Sequence, residues 1–220
     1  MRLYDLSHPY HDCMPVYPGD DPVELRLKRT VPADGYTAYT LSTGLHAGTH
    51  LDAPLHFVAG GQMIRDLELE RCLGSGRLLD VRGEKVIGYR PEYARLIGPG
   101  DIVLLWTGHS AYWNTDAYFK QHPVVQEDLA DFFIERKIKL LGMDLPSPDG
   151  PPFPIHKKLL HAGIPLLENL TNLEQLRDLP SFEVIALPLN ITAEGSPVRV
   201  VARAWDIKEG KTKCKGRSCG

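Results

Sequence analysis

Two apolar runs constrain the fold of this 220-residue chain more than any other feature. VLLWTG from Val103 and IKLLGMD from Ile138 lack the polar alternation of a strand with one wet face, and read as strands buried on both faces. Between them lies PVVQEDLADFFIERK, residues 123–137, where Leu129, Phe132, Phe133 and Lys137 recur at helical spacing and Pro123 suits a first turn. Buried strands flanking a helix predict an α/β arrangement. A second helix is predicted over IHKKLLHAG, ending on Gly163.

Elsewhere short β-type runs dominate: RLYDLS, VELRLKRT, TAYTLSTGL, GRLLDV, FEVIALPLN and PVRVVARAW, bounded by Gly, Pro, Asp or Asn. There is no internal repeat, and the 18 prolines and 20 glycines are spread out rather than gathered into a linker. The expectation is one strand-rich α/β domain over residues 1–207 with a basic, flexible tail over 208–220. The tail holds Cys214 and Cys219; it reads as a solvated end, with a weak metal half-site or a disulfide as the alternatives. Four cysteines in a chain of this length do not make a disulfide framework. A net charge of −3 gives no electrostatic reason to expect nucleic acid or an acidic membrane as partner. With no signal-like opening and no apolar run of ~18 residues, the expectation is a cytoplasmic protein acting on small molecules.

Chemistry concentrates in HAGTHLDAPLHF. His46, His50, Asp52 and His56 fall within residues 46–56 of a chain with nine histidines in all. Gly48, Thr49 and Pro54 disfavour a helix here. A strand leaving through a glycine bend would instead point His50 and Asp52 to one side and bring His46 round to meet them. Two imidazoles and a carboxylate, without thiolate, suit a divalent ion such as Zn²⁺ or Mn²⁺ and leave a coordination position for water. His56 follows Pro54, which is expected to turn the chain and separate it from the other three. It is read as an acid/base group, with a fourth-ligand role as the alternative.

HAGTHLDAPLHF resembles the HxGTHxDxPxH signature of the cyclase family, which includes bacterial kynurenine formamidases and isatin hydrolases. The resemblance extends through YDLSHPYHDCMPVYPGD, LLWTGHSAYW, GMDLPSPDG and LPLNITAEGSPVRVVA. It implies a swivelling β/β/α fold and a homodimer or larger assembly. It also implies that His46, His50 and Asp52 hold one ion while Asp52 bridges to a second held by His156 and Glu168, with some relatives using a single ion, commonly manganese. By spacing alone, Glu168 reads as a solvated charge and His156 as an N-terminal helix residue. Tyr17 falls where related formamidases place an aromatic against the substrate ring.

The activity implied is hydrolysis of a small aromatic amide, N-formylkynurenine above all. A cyclic-amide hydrolase, a ring-closing enzyme and a metal-holding protein without turnover are the alternatives. Ser147 has no G-x-S-x-G setting and reads as a turn residue. Asp144, Asp149 and the Asp pair of GDD at 19–21 also read as turn formers, with cation binding as the alternative. His161, without a family match, is expected at the surface.

Overall fold

A computed structural model describes residues 1–205. The strands are β1 (Arg2–Asp5), β2 (Glu24–Arg29), β3 (Ala38–Ser42), β4 (His50–Asp52), β5 (Leu73–Asp80), β6 (Val86–Ile87) and β7 (Ile102–Trp106). They continue with β8 (Val124–Val125), β9 (Leu140–Met143), β10 (Leu166–Glu168), β11 (Glu183–Ile185), β12 (Gly195–Pro197) and β13 (Val201–Ala204). The α-helices are α1 (Val31–Asp34), α2 (Tyr93–Leu96), α3 (Asp116–Lys120), α4 (Glu127–Arg136) and α5 (Pro154–His161).

Nine strands form one mixed sheet in the order β1-β13-β11-β5-β7-β9-β10-β4-β12. The inner four, β5-β7-β9-β10, are parallel, and antiparallel strands extend the sheet on either side. Strand β7 shows why the unalternating runs are strands. Ile102, Leu104 and Trp106 enter one core and Val103 and Leu105 the other. The first core also takes Leu51 from β4, Val184 from β11 and Ala202 from β13. Because these strands lie towards opposite ends of the sheet, the sheet curls round this core. The second core is closed by Leu129, Ala130 and Phe133 of α4 and Leu159 and Leu160 of α5. Each buried leucine contributes about 1.5–3 kcal/mol, so the two cores account for the α/β layering.

The first helix starts later than the sequence predicts. Pro123 is not in its first turn: Val124 and Val125 pair in parallel with Val86 and Ile87, and α4 begins at Glu127. Two β-branched residues find a partner strand that lies far off in the chain, and this overrides the proline signal. Strands β2 and β3 form a separate ribbon that leaves Leu27, Tyr39 and Leu41 about half exposed. Cys13 is an exposed and Cys72 a buried free thiol, and Cys214 and Cys219 lie outside the described residues. No helix among the described residues is long and apolar enough to cross a membrane.

After β1, Ser7 bridges to Leu170 and the His8 N–H donates to Thr49 Oγ1. The His8 ring stacks on Trp113 at 4.0 Å, and its Nε2 is buried without a hydrogen-bond partner. Burial pulls this imidazole down to about 4, so the folded protein resists a proton that the unfolded chain accepts near 6.5. Folding stability from His8 is therefore full above about pH 6.5 and is lost as pH falls towards 4. The full shift is worth ~3 kcal/mol, which screening at the exposed part of the ring trims to about 2. His8→Phe keeps the stack and should flatten that part of the pH–stability curve, measured by urea unfolding in the presence of chelator. Equal slopes for the two proteins between pH 6.5 and 4 would refute this.

Candidate metal centre

The site is assembled at the β10-β4-β12 end of the sheet. Antiparallel pairing sets Glu168 of β10 opposite His50 of β4, with Gly195 of β12 opposite Asp52 on the other side. His50 and Asp52 are two apart on β4 and share a face. Gly48, at φ +59, makes the bend that returns His46 to them, and a Cβ there would lie 2.8 Å from the Met14 side chain. Gly195 leaves room for the same ring: its Cβ would meet His46 Cε1 at 2.8 Å.

His46 Nδ1 lies 2.8 Å from Asp52 Oδ1. His50 Nε2 sits 3.4 Å from both Asp52 Oδ1 and Glu168 Oε2, and His156 Nε2 sits 3.2 Å from Glu168 Oε1 and 4.0 Å from Asp52 Oδ2. Two triads result, His46–His50–Asp52 and Asp52–His156–Glu168, each with one ligand atom per residue within 4.8 Å of the others. Asp52 belongs to both. His50, Asp52, His156 and Glu168 are all at most 4% exposed, so Glu168 is no solvated charge. Its place between β9 and β4 buries it.

The polar atoms of this cluster are closer than their hydrogen bonding explains. His46 Nε2, His50 Nε2, Asp52 Oδ2 and Glu168 Oε1 are buried without a hydrogen-bond partner. Native proteins seldom leave such groups unmatched. Orphaned nitrogen and carboxylate oxygen atoms converging on one place fit a divalent cation.

The charges agree. Burial opposes protonation of His50, but Asp52 and Glu168 outweigh it and push the imidazole up to about 10. His156 is likewise opposed by burial, yet Asp149 and Glu168 raise it to about 10. Asp52 is held well below the carboxylate range, against the effect of burial, by His50 and His46. The carboxylates thus draw positive charge into a dry site, where a metal ion would compete with protons.

Backbone and side-chain acceptors orient the rings. His50 Nδ1 donates to the Gly48 carbonyl at 2.8 Å, which turns Nε2 inward. Asn169 ties the bend to β10: its Nδ2 donates to the Gly48 carbonyl at 2.8 Å, its carbonyl accepts from Thr49 Oγ1 at 2.6 Å, and its Oδ1 accepts from the Tyr118 hydroxyl at 2.8 Å. Asp149 Oδ1 accepts from His156 Nδ1 at 2.6 Å.

His56 stands differently from the sequence expectation. The turn after Ala53 is a 3-10 helix, Pro54–His56, and instead of separating His56 it stacks the ring on His46 with centroids 4.1 Å apart. The imidazole remains outside both triads. Burial lowers its pKa, the opposite of the shift at the other three histidines. All four histidines line a cavity of about 250 Å³ walled by Tyr17, Phe57, Trp113, Phe119 and Phe153. Tyr17 meets Phe119 edge-on at 5.9 Å.

Ser147 is a turn residue as expected, its Oγ donating to the Asp149 carbonyl at 2.5 Å, and it also lines this cavity. His161 is exposed on α5. Asp144 does more than form a turn: it is buried and accepts hydrogen bonds from Thr107 and Gly108. Sequence reasoning misses Asn169, Trp113, Phe57 and Phe153, and takes Asp149 for a turn former. A D-G-P-P stretch gives no sign that its aspartate faces a histidine seven residues on.

Over residues 4–150 the chain matches the family model described as "Putative cyclase". It is 33% identical over 205 residues to the kynurenine formamidase of Bacillus cereus, an alignment covering 90% of this chain and 96% of that protein. Isatin hydrolase A from Labrenzia aggregata, solved with benzyl benzoate bound, superposes with a TM-score of 0.80 at 26% identity, covering 93% of this chain and 94% of that one. A structure described as a potential metal-dependent hydrolase with cyclase activity gives a TM-score of 0.75 at 28% identity, over 93% of this chain and 98% of that one. The match to the family model spans well over half the chain and includes the HAGTHLDAPLHF cluster, so the chain belongs to the cyclase family.

Proposed function

We propose that this protein is a metal-dependent hydrolase of small aromatic amides, an arylformamidase that converts N-formylkynurenine to kynurenine and formate. The observation that carries the reading is Asp52, shared by two candidate triads whose other members line an aromatic-walled cavity. His46, His50 and Asp52 would hold one ion, and Asp52, His156 and Glu168 a second. The donor set suits Zn²⁺, with Mn²⁺ as the alternative. When bound, such an ion supplies Lewis acidity that polarises the formyl oxygen and lowers the pKa of water from about 15.7 towards 7.

The chain's own residues do the rest. Tyr17, Phe57, Trp113, Phe119 and Phe153 bind a planar ring and exclude water around it. The formyl carbon is thereby set over the cluster. His56, kept neutral by burial, takes a proton from the attacking water and returns it to the departing aryl nitrogen. The C–N bond breaks as the new C–O bond is completed, and an amine leaves rather than its anion.

Ring opening of a cyclic amide is the second reading, favoured by the likeness to isatin hydrolase A. A substrate panel on the metal-loaded protein separates the two. We expect kcat/KM for N-formylkynurenine to exceed that for isatin by at least about tenfold, a difference of ~1.4 kcal/mol in transition-state binding. The reverse ranking would favour ring opening, and no turnover of either would favour a protein that only holds metal. The β2–β3 ribbon supports assembly into a homodimer or larger, since an isolated two-stranded hairpin with exposed Leu27, Tyr39 and Leu41 is marginal in water. Light scattering at micromolar concentration tests it, and a monomer mass would count against it.

A further inference from the structure

The cluster's histidines differ in what stands behind them. His50 Nδ1 faces a neutral backbone carbonyl, that of Gly48. His156 Nδ1 faces a carboxylate: Asp149 Oδ1 lies 2.6 Å away, and Asp149 Oδ2 accepts the backbone N–H of Ile155, also at 2.6 Å. Asp149 is only 5% exposed. Its backbone is pinned as well, because Ser147 Oγ donates to its carbonyl and its own N–H returns to Ser147 Oγ at 3.3 Å. The carboxylate is therefore fixed from two sides before it meets the imidazole.

We propose that Asp149 is the positioning residue of one half of the centre: it holds His156 with Nδ1 protonated and Nε2 aimed between Glu168 and Asp52, and so sets the affinity of the Asp52–His156–Glu168 triad for a divalent ion independently of the His46–His50–Asp52 triad. The inference rests on the metal reading of the cluster and not on the choice of amide substrate. A carboxylate accepts only, so Nδ1 must donate and Nε2 presents its lone pair to an ion. The negative charge behind the ring also raises its basicity as a ligand. Neither effect extends to His50, whose backing group is a carbonyl on a different element, nor to His46, whose Nδ1 already meets Asp52.

Asp149→Asn is the direct test, with zinc binding by competition against a chromogenic chelator as the readout. An asparagine keeps the shape, but its oxygen is claimed by the Ile155 N–H, so its NH₂ group turns to Nδ1 and moves the imidazole proton to Nε2. The expected result is one equivalent of zinc bound as in the parent protein and one weakened by roughly 10–100-fold, the usual worth of an outer partner of a ligating histidine. If the parent takes up a single equivalent that His156→Gln weakens, Asp149→Asn should weaken it by roughly 10–100-fold; if His156→Gln leaves that equivalent unchanged, the Asp52–His156–Glu168 triad binds no zinc and the proposal falls. Confinement of the zinc loss to one equivalent separates positioning from a general loss of structure, which would weaken both. Both equivalents weakening together, or neither, would overturn the proposal. Should Asp149→Asn not fold, Asp149→Ser, which withdraws the carboxylate and retains an acceptor, is read by the same outcomes. Failure of the parent protein to bind zinc or manganese at all would remove the metal reading, and this inference with it; failure to hydrolyse N-formylkynurenine would leave it standing.

Discussion

Asp52→Asn is expected to strip the protein of bound ion and to lower amide hydrolysis by about 10³-fold or more, the scale of rate that a metal-activated water provides. Asp52 is the one residue common to both triads, and it is 1% exposed. Its removal takes a ligand from each and half of the negative charge that Asp52 and Glu168 together set against two cations. The effect reaches folding too. In the metal-free protein, His50 carries a proton that Asp52 and Glu168 hold up to about 10. Removing one partner of a buried charge pair costs about 3–5 kcal/mol. Metal content by mass spectrometry, turnover, and urea unfolding under chelation read the three consequences. A variant that retains its full complement of ion would show that Asp52 is not the bridge.

His56→Ala is expected to behave in the opposite way towards metal. The ring stacks on His46 but belongs to neither triad, so bound ion should stay close to that of the parent protein while turnover falls by roughly 10²–10⁴-fold, the range for a positioned acid or base. The loss should shrink on a matched formate ester, because an alkoxide leaving group needs less protonation than an aryl amide nitrogen. His50→Ala, by contrast, should cost ion and rate together. Loss of metal from His56→Ala, or an equal loss of rate on ester and amide, would return His56 to the ligands or to the structural residues.

Much of this centre is legible in the amino-acid order because half of it is local. His46, His50 and Asp52 lie within seven residues, and a strand period of two with one glycine bend is enough to bring them together. The longer strands, such as β5, β7 and β9, and both longer helices are legible in local runs of apolar and β-branched residues for the same reason. Sequence and fold part where a contact lies outside the local strand or helix period. Val124 and Val125 leave the helix for a strand at Val86–Ile87, and His56 comes back to stack on His46 through a 3-10 turn that proline alone does not specify.

By itself, then, the sequence determines the alternation of buried strands with helices, the grouping of His46, His50 and Asp52 as a candidate triad, and, through its resemblance to the cyclase family, the identity of His156 and Glu168 as candidates. Only the tertiary structure decides that these two reach Asp52, that Glu168 is buried, and that Asp149 and Asn169 stand behind the rings. The physical reason is sheet pairing across the chain. The bend at Gly48–Thr49 is tied to Asn169, about 120 residues away, by hydrogen bonds of 2.6–2.8 Å, and the register of β4 against β10 sets Glu168 opposite His50. A period of two places side chains on a face; which strand that face meets depends on how the sheet curls around its core.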